Sequence, residues 1–224
     1  MRYPSALKVI ARYKNPGLSL SLYILIRMLL CSFSKVVKHV PKSGRLLDIG
    51  CGAGLWLNYL SCCGLKLRFH GIDIDPRKIA EATKSLDKKL LFEVTEARNL
   101  PYGSYHTVSI VDVLCLLTPP KKEQIVFDSF NVLKPGGILL LKDVDTRPKW
   151  KALITKIEEI LAVKVIKLTC AERICLCSIN DYIDLLGRIG FTDVHVYRLD
   201  RGYLHPHVLI SGRKPKTSSE QTIP

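Results

Sequence analysis

A short apolar run, Leu46-Leu47-Asp48-Ile49, passes directly into Gly50-Cys51-Gly52-Ala53-Gly54 and then into a second apolar run from Leu55 to Leu60. That order predicts a buried strand, a glycine turn and a helix. Glycines at alternate positions let backbone N–H groups approach a ligand closely, and the helix start adds the positive end of its dipole. Nineteen residues past Gly54, Asp73 closes the run Phe69-His70-Gly71-Ile72. An acidic residue about 20 positions beyond such a turn is placed to grip a ribose hydroxyl. The dinucleotide fingerprint needs Gly or Ala where this chain has Leu55, so that class is set aside.

Strand-like and helix-like segments alternate through the rest of the chain, as a parallel sheet requires. The pattern predicts strands over 45–49, 67–73, 90–94, 107–111 and 138–142, with helices over 54–63, 76–86 and 123–133. Asp75 before Pro76 reads as a helix cap. Beyond strand five, Trp150, Leu153, Ile154, Ile157 and Leu161 recur at helical spacing, and Ser178 with Asp181 resembles a capping box for a helix ending near Gly190. Segments 192–199 and 208–212 read as an antiparallel pair.

Four segments stand in a particular order: Asp48 with the glycine turn, Asp73, the strand ending at Asp112-Val113-Leu114, and Leu133-Lys134-Pro135-Gly136-Gly137 before an apolar strand. Together they resemble the class I S-adenosylmethionine-dependent methyltransferases over about residues 40–212. The resemblance implies a Rossmann-like, doubly wound α/β fold. Its sheet would be mostly parallel and seven-stranded, with an antiparallel last strand and an N-terminal helical extension. It divides the chain into an extension (1–40), a methyltransferase domain (41–213) and a disordered tail (214–224).

By the same resemblance S-adenosyl-L-methionine is the cofactor. Gly50, Cys51, Gly52 and Gly54 would approach its amino acid tail and ribose, and Asp48 would lie under its amino end. Asp73 would hold the ribose and Ile74 would pack on the adenine. Glu96-Ala97 stand where the family has Asp-Ala, and Asp112-Val113 would border the donor. Cys115 stands where relatives often carry a histidine, so no catalytic histidine is carried over. Asp143 and Asp145, just past strand five, are the candidates for a general base, with Arg147 able to pair with them. His205 and His207 read as solvent-facing turn residues, and Tyr3 or Tyr13 as a pocket closure.

Charge adds a second constraint. The net charge is +14, and the first 47 residues carry nine basic residues and no acidic one. Such a segment is attracted to an anionic membrane, nucleic acid or a charged substrate. Residues 18–39 read as a helix with Leu22, Leu25, Ile26, Leu29, Phe33 and Val36 on one apolar face. Arg27 at its centre argues against a transmembrane span. Packing on the domain is the expectation, and contact with a membrane surface the alternative. The eight cysteines show no zinc-ribbon spacing and read as reduced thiols. No metal is expected. Without a visible secretory signal, a cytoplasmic setting is expected, with peripheral membrane contact.

The activity expected is methyl transfer to a small, apolar or lipid-like acceptor. An RNA methyltransferase is the second reading, since +14 suits phosphates. No appended RNA-binding domain and no Asn-Pro-Pro-Tyr-type motif supports it. A non-catalytic binding module is the third, and the intact glycine turn and Asp73 speak against it.

Overall fold

The structure, a computed structural model, describes residues 3–146, 175–203 and 205–216. The predicted helix around Trp150 to Leu161 and most of the predicted tail lie outside the described residues.

Among the described residues seven strands form one sheet: β1 (Ser43–Ile49), β2 (Lys66–Asp73), β3 (Leu90–Val94), β4 (Tyr105–Val111), β5 (Leu133–Val144), β6 (Thr192–Arg198) and β7 (His207–Arg213). Their spatial order is β3-β2-β1-β4-β5-β7-β6. The strands β1 to β5 pair in parallel, while β7 inserts antiparallel between β5 and β6. This is the doubly wound sheet expected from the sequence. The order reverses between β1 and β4, so the carboxyl ends of these two strands open a crevice where α/β proteins bind ligands.

Helices α4 (Leu55–Cys62), α5 (Pro76–Ala82) and α6 (Pro119–Val132) follow the strands, and α7 (Ile179–Ile189) precedes β6. Ser178 and Asp181 form a reciprocal capping box at the start of α7, and Gly190 ends it in a left-handed conformation. Two apolar clusters cover the sheet. One includes Leu46, Leu140 and Leu209 under α4 and the N-terminal helices; the other includes Leu47, Leu139 and Leu141 under α6 and α7. The split follows the two-residue alternation of strand side chains.

The N-terminal extension departs from expectation. After a short α1 (Ala6–Ile10), the helix predicted over 18–39 is divided into α2 (Leu18–Leu30) and α3 (Phe33–Val36), with a 62° bend between α2 and the segment that follows. The predicted single apolar face is therefore divided. Phe33 and Val36 are buried in the first cluster, whereas Leu22, Leu25, Ile26 and Leu29 are exposed. Among the described residues no single helix is long and apolar enough to cross a membrane. Strand β5 also begins earlier than expected, because the Lys134–Gly137 turn is absorbed as an irregularity opposite Tyr105–Thr107. At the other end the Lys214 ammonium donates to the carbonyls of Phe130 and Leu133 at 2.7 and 2.8 Å.

Ser178→Ala removes one side of the capping box and should lower stability by about 1 kcal/mol, measured by urea unfolding. An unchanged midpoint would show that α7 is held by packing alone.

Candidate active site

The glycine turn stands at the carboxyl end of β1. Gly50, Gly52 and Gly54 all have positive φ, at 72°, 55° and 76°. At two of them the turn also requires closeness: a Cβ at Gly50 would lie 2.6 Å from Val113 Cγ2, and one at Gly54 would lie 2.6 Å from Phe92 Cζ. Gly52 differs, for a Cβ there would meet nothing within 4 Å. The turn is thus wedged at both ends and faces open space at its middle.

Asp73 ties this turn to β2. Its Oδ2 accepts from the Gly52 N–H at 3.0 Å and its Oδ1 from the Asp75 N–H at 2.9 Å. An ionised carboxylate offers about four acceptor positions, so each oxygen keeps capacity for a hydroxyl donor. Beside it Ile74 is 73% exposed, an apolar surface next to two acceptor positions that the described residues leave open. A sugar with an attached planar base matches that pairing of chemistries. Glu96 precedes the short turn Ala97–Asn99, where Ala97 is buried, and its carboxylate is held by Arg98 at 2.8 Å.

Asp48 is buried and its Oδ1 accepts from Ser109 Oγ at 2.6 Å. Burial pushes its pKa up to about 7, partly opposed by the Ser109 hydroxyl and reinforced by the Asp73 charge. Cys51 is also buried, and desolvation with the charges of Asp48 and Asp73 raises its thiol well above the ordinary range. Cys51 therefore lines the turn as a neutral side chain.

Asp112 follows β4 with a φ of 56°, an unusual conformation for a non-glycine residue. The bend turns its carboxylate toward two cations. Arg27 Nη2 of α2 donates to Oδ2 at 2.6 Å, and the fully buried Lys142 ammonium of β5 donates to Oδ1. Cys31 Sγ adds a longer contact at 3.5 Å. Burial alone would raise the Asp112 pKa, but Lys142 and Arg27 outweigh it and hold the carboxylate well below its usual range. Asp112 thus borders the site as a clamp, while Val113 packs over Gly50. The cluster carries one positive charge in excess.

The two base candidates are both buried. Strand alternation sends Lys142 to the Arg27 face and Asp143 to the opposite one. There Asp143 is buried, accepting from Tyr182 Oη at 2.6 Å and from the Val144 N–H at 2.8 Å. Burial raises its pKa, and its partners belong to the second apolar cluster. Asp143 is therefore a core residue, which corrects the expectation of a base. Asp145 is buried too, its Oδ2 3.6 Å from Arg198 Nη1 and its backbone N–H on the Pro206 carbonyl. Arg147 lies outside the described residues.

The histidines are corrected as well. Both are buried, and His207 Nε2 donates to the Leu30 carbonyl at 2.8 Å. Burial, aided by Lys142, pushes the His207 pKa down to about 3, so this ring is neutral. Tyr13 does reach the site, donating from Oη to the Ala53 carbonyl at 3.0 Å; Tyr3 is exposed. Sequence reasoning missed Arg27, Lys142 and Ser109 as members of the site. The one available signal was Arg27, a charge at the centre of an apolar helix.

The raised pKa of Asp48 carries a stability consequence. Between pH 3.8, where an ordinary aspartate titrates, and about 7, the folded chain holds a proton that the unfolded chain has lost. Its contribution to stability therefore falls as pH rises through that window and is level above it. The stability gap between Asp48→Asn and the parent should move in favour of the variant from pH 5 to pH 8, read by urea unfolding. A gap that is constant with pH would contradict this.

Comparisons with known proteins bear on the same residues. The family model described as a methyltransferase domain matches residues 27–196. Norajmaline N-methyltransferase of Rauvolfia serpentina is 27% identical over 162 residues, covering 68% of this chain and 54% of that protein. An S-adenosyl-L-methionine-dependent Diels-Alderase of Talaromyces variabilis is 31% identical over 124 residues, covering 50% of this chain and 40% of its own length. The chain spans about half the length of the curated relatives it matches. The structure of a SAM dependent methyltransferase from Archaeoglobus fulgidus superposes with a TM-score of 0.65 at 16% identity, over 86% of this chain and 99% of that one. That likeness is one of fold. With the family model spanning the glycine turn, Asp73 and the Asp112 clamp, the chain belongs to the methyltransferase-domain family.

Proposed function

We propose that this protein is an S-adenosylmethionine-dependent methyltransferase acting on a small, apolar acceptor. The observation that carries the reading is the Asp73 carboxylate, which keeps unused acceptor positions beside open space at Gly52 and the exposed Ile74. The residues fit the donor: Asp73 for the ribose hydroxyls, Ile74 for one face of the adenine, and Asp48 for the amino end. When bound, the donor supplies an electrophilic methyl group on a sulfonium for in-line displacement at carbon.

What the chain contributes is alignment and exclusion of water. Alignment of acceptor and methyl is worth on the order of 7–11 kcal/mol. Tyr13 fixes the N-terminal extension to the glycine turn, and Arg27 fixes it to the end of β4. Asp143 is committed to Tyr182, and burial leaves the His207 ring a weak base with a pKa of about 3, so neither suits proton abstraction. An acceptor that arrives with a free lone pair, such as a neutral amine, needs no base. Relatives named for N-methylation of norajmaline and of ajmaline support that class of acceptor. The excess positive charge at the Arg27–Asp112–Lys142 cluster disfavours a protonated amine and favours its neutral, nucleophilic form.

Calorimetry with S-adenosylhomocysteine is the direct test. The parent should bind it, and Asp73→Ala should weaken binding about tenfold or more, as expected for hydrogen bonds to a charged acceptor. Lack of binding by the parent, or equal affinity in Asp73→Ala, would overturn the reading. Since a cationic amino group favours ionised Asp48, binding should tighten as pH rises toward 7, with proton release below it. Asp48→Asn should lose that pH dependence. Release of S-adenosylhomocysteine in the presence of an acceptor would separate methyl transfer from a cofactor-assisted reaction without it.

A further inference from the structure

Helix α2 has two working faces. Leu20 and Ile24 are buried, and Arg27 reaches Asp112. On the outer side Leu18, Leu22, Leu25, Ile26 and Leu29 recur at helical spacing and are exposed, Leu18 by 87%, Leu22 by 53% and Leu29 by 76%. Leu7 of α1, which lies against α2, is 73% exposed. Water-facing leucines occurring singly need no explanation, but an uninterrupted row of five on one helix marks an interaction surface.

The charge around this row selects the occupant. Lys8 and Lys14 precede α2, and neither has a carboxylate within ion-pair distance among the described residues, whereas Lys35, which follows it, is committed to the Leu199 and Arg201 carbonyls. The first 47 residues contain no acid at all. A symmetric pair of copies meeting through this face would set the same patch against itself, bringing like charges together. An anionic lipid surface offers the complement to both features, apolar depth for the leucines and negative headgroups for the lysines.

We propose that the outer face of α2 docks on an anionic membrane surface, with Leu18, Leu22, Leu25, Ile26 and Leu29 inserted at the boundary of headgroups and acyl chains. Docking leaves the Arg27 side of the helix, and with it the glycine-turn crevice, facing the domain. The protein is a peripheral binder in this state, not a spanning one.

The test is sedimentation of the full chain with vesicles of phosphatidylcholine alone or with phosphatidylserine, at low and high salt. The expected result is binding to the anionic vesicles only, reduced by salt, since each basic residue near the surface strengthens binding about fivefold. Leu22→Glu with Leu29→Glu should reduce binding at least tenfold while affinity for S-adenosylhomocysteine stays at the parent value. Both positions are exposed, so that affinity also reports an intact fold. Equal recovery in the supernatant under all conditions overturns the proposal. Equal binding to both vesicle types also overturns it, as does a stable dimer that Leu22→Glu with Leu29→Glu dissociates, which would assign the face to a second copy.

Discussion

Asp112 is a buried anion held between two cations from distant parts of the chain, and the geometry of the site depends on it. Arg27 comes from the N-terminal extension and Lys142 from β5, while Asp112 itself follows β4 in a strained conformation. Leaving a buried charge without its partner costs about 3–5 kcal/mol, so these three side chains hold one another in place. The clamp closes the extension over the sheet and keeps Val113 against Gly50. Tyr13 makes the second attachment, on the Ala53 carbonyl. The mouth of the crevice is therefore shaped by residues far from the glycine turn in sequence.

The two faces of the sheet do different work. On one, Asp48, Ser109, Asp112 and Lys142 place polar groups at the carboxyl ends of three strands. On the other, Asp143 and Tyr182 satisfy each other within an apolar cluster that includes α6 and α7. A single register step separates Lys142 from Asp143, and it decides which residue belongs to the site. The same alternation turns Asp48 to the Ser109 face between the core residues Leu47 and Ile49.

What could be read from the sequence was local. The glycine turn, Asp73, the capping box at Ser178 and the strand–helix alternation each occupy a few consecutive residues, and the family's order of segments supplied the sheet. What could not be read was set by tertiary contact. Arg27 and Asp112 are 85 positions apart, and no spacing rule joins them. The bend after Leu30 carries neither Gly nor Pro, so periodicity ran on through it. The rule that ligands sit at the carboxyl ends of strands favoured Asp143, but it says nothing about which face a side chain takes. His205 and His207 looked exposed because a turn with Pro206 usually is; here α2 lies over it.

The sheet order has a consequence for how the chain must be made. Strand β5, twelve residues long, receives its second neighbour only from β7, the last strand among the described residues, while β6 joins outside it. A chain emerging from the ribosome N-terminus first can assemble β1 to β5, yet it carries a long unpaired edge until residues 207–213 follow. Such an edge is a template for pairing with another chain. The chain is thus most exposed to aggregation between the emergence of β5 and that of β7, and loss of residues 207–213 would uncover β5 inside the sheet instead of trimming its margin.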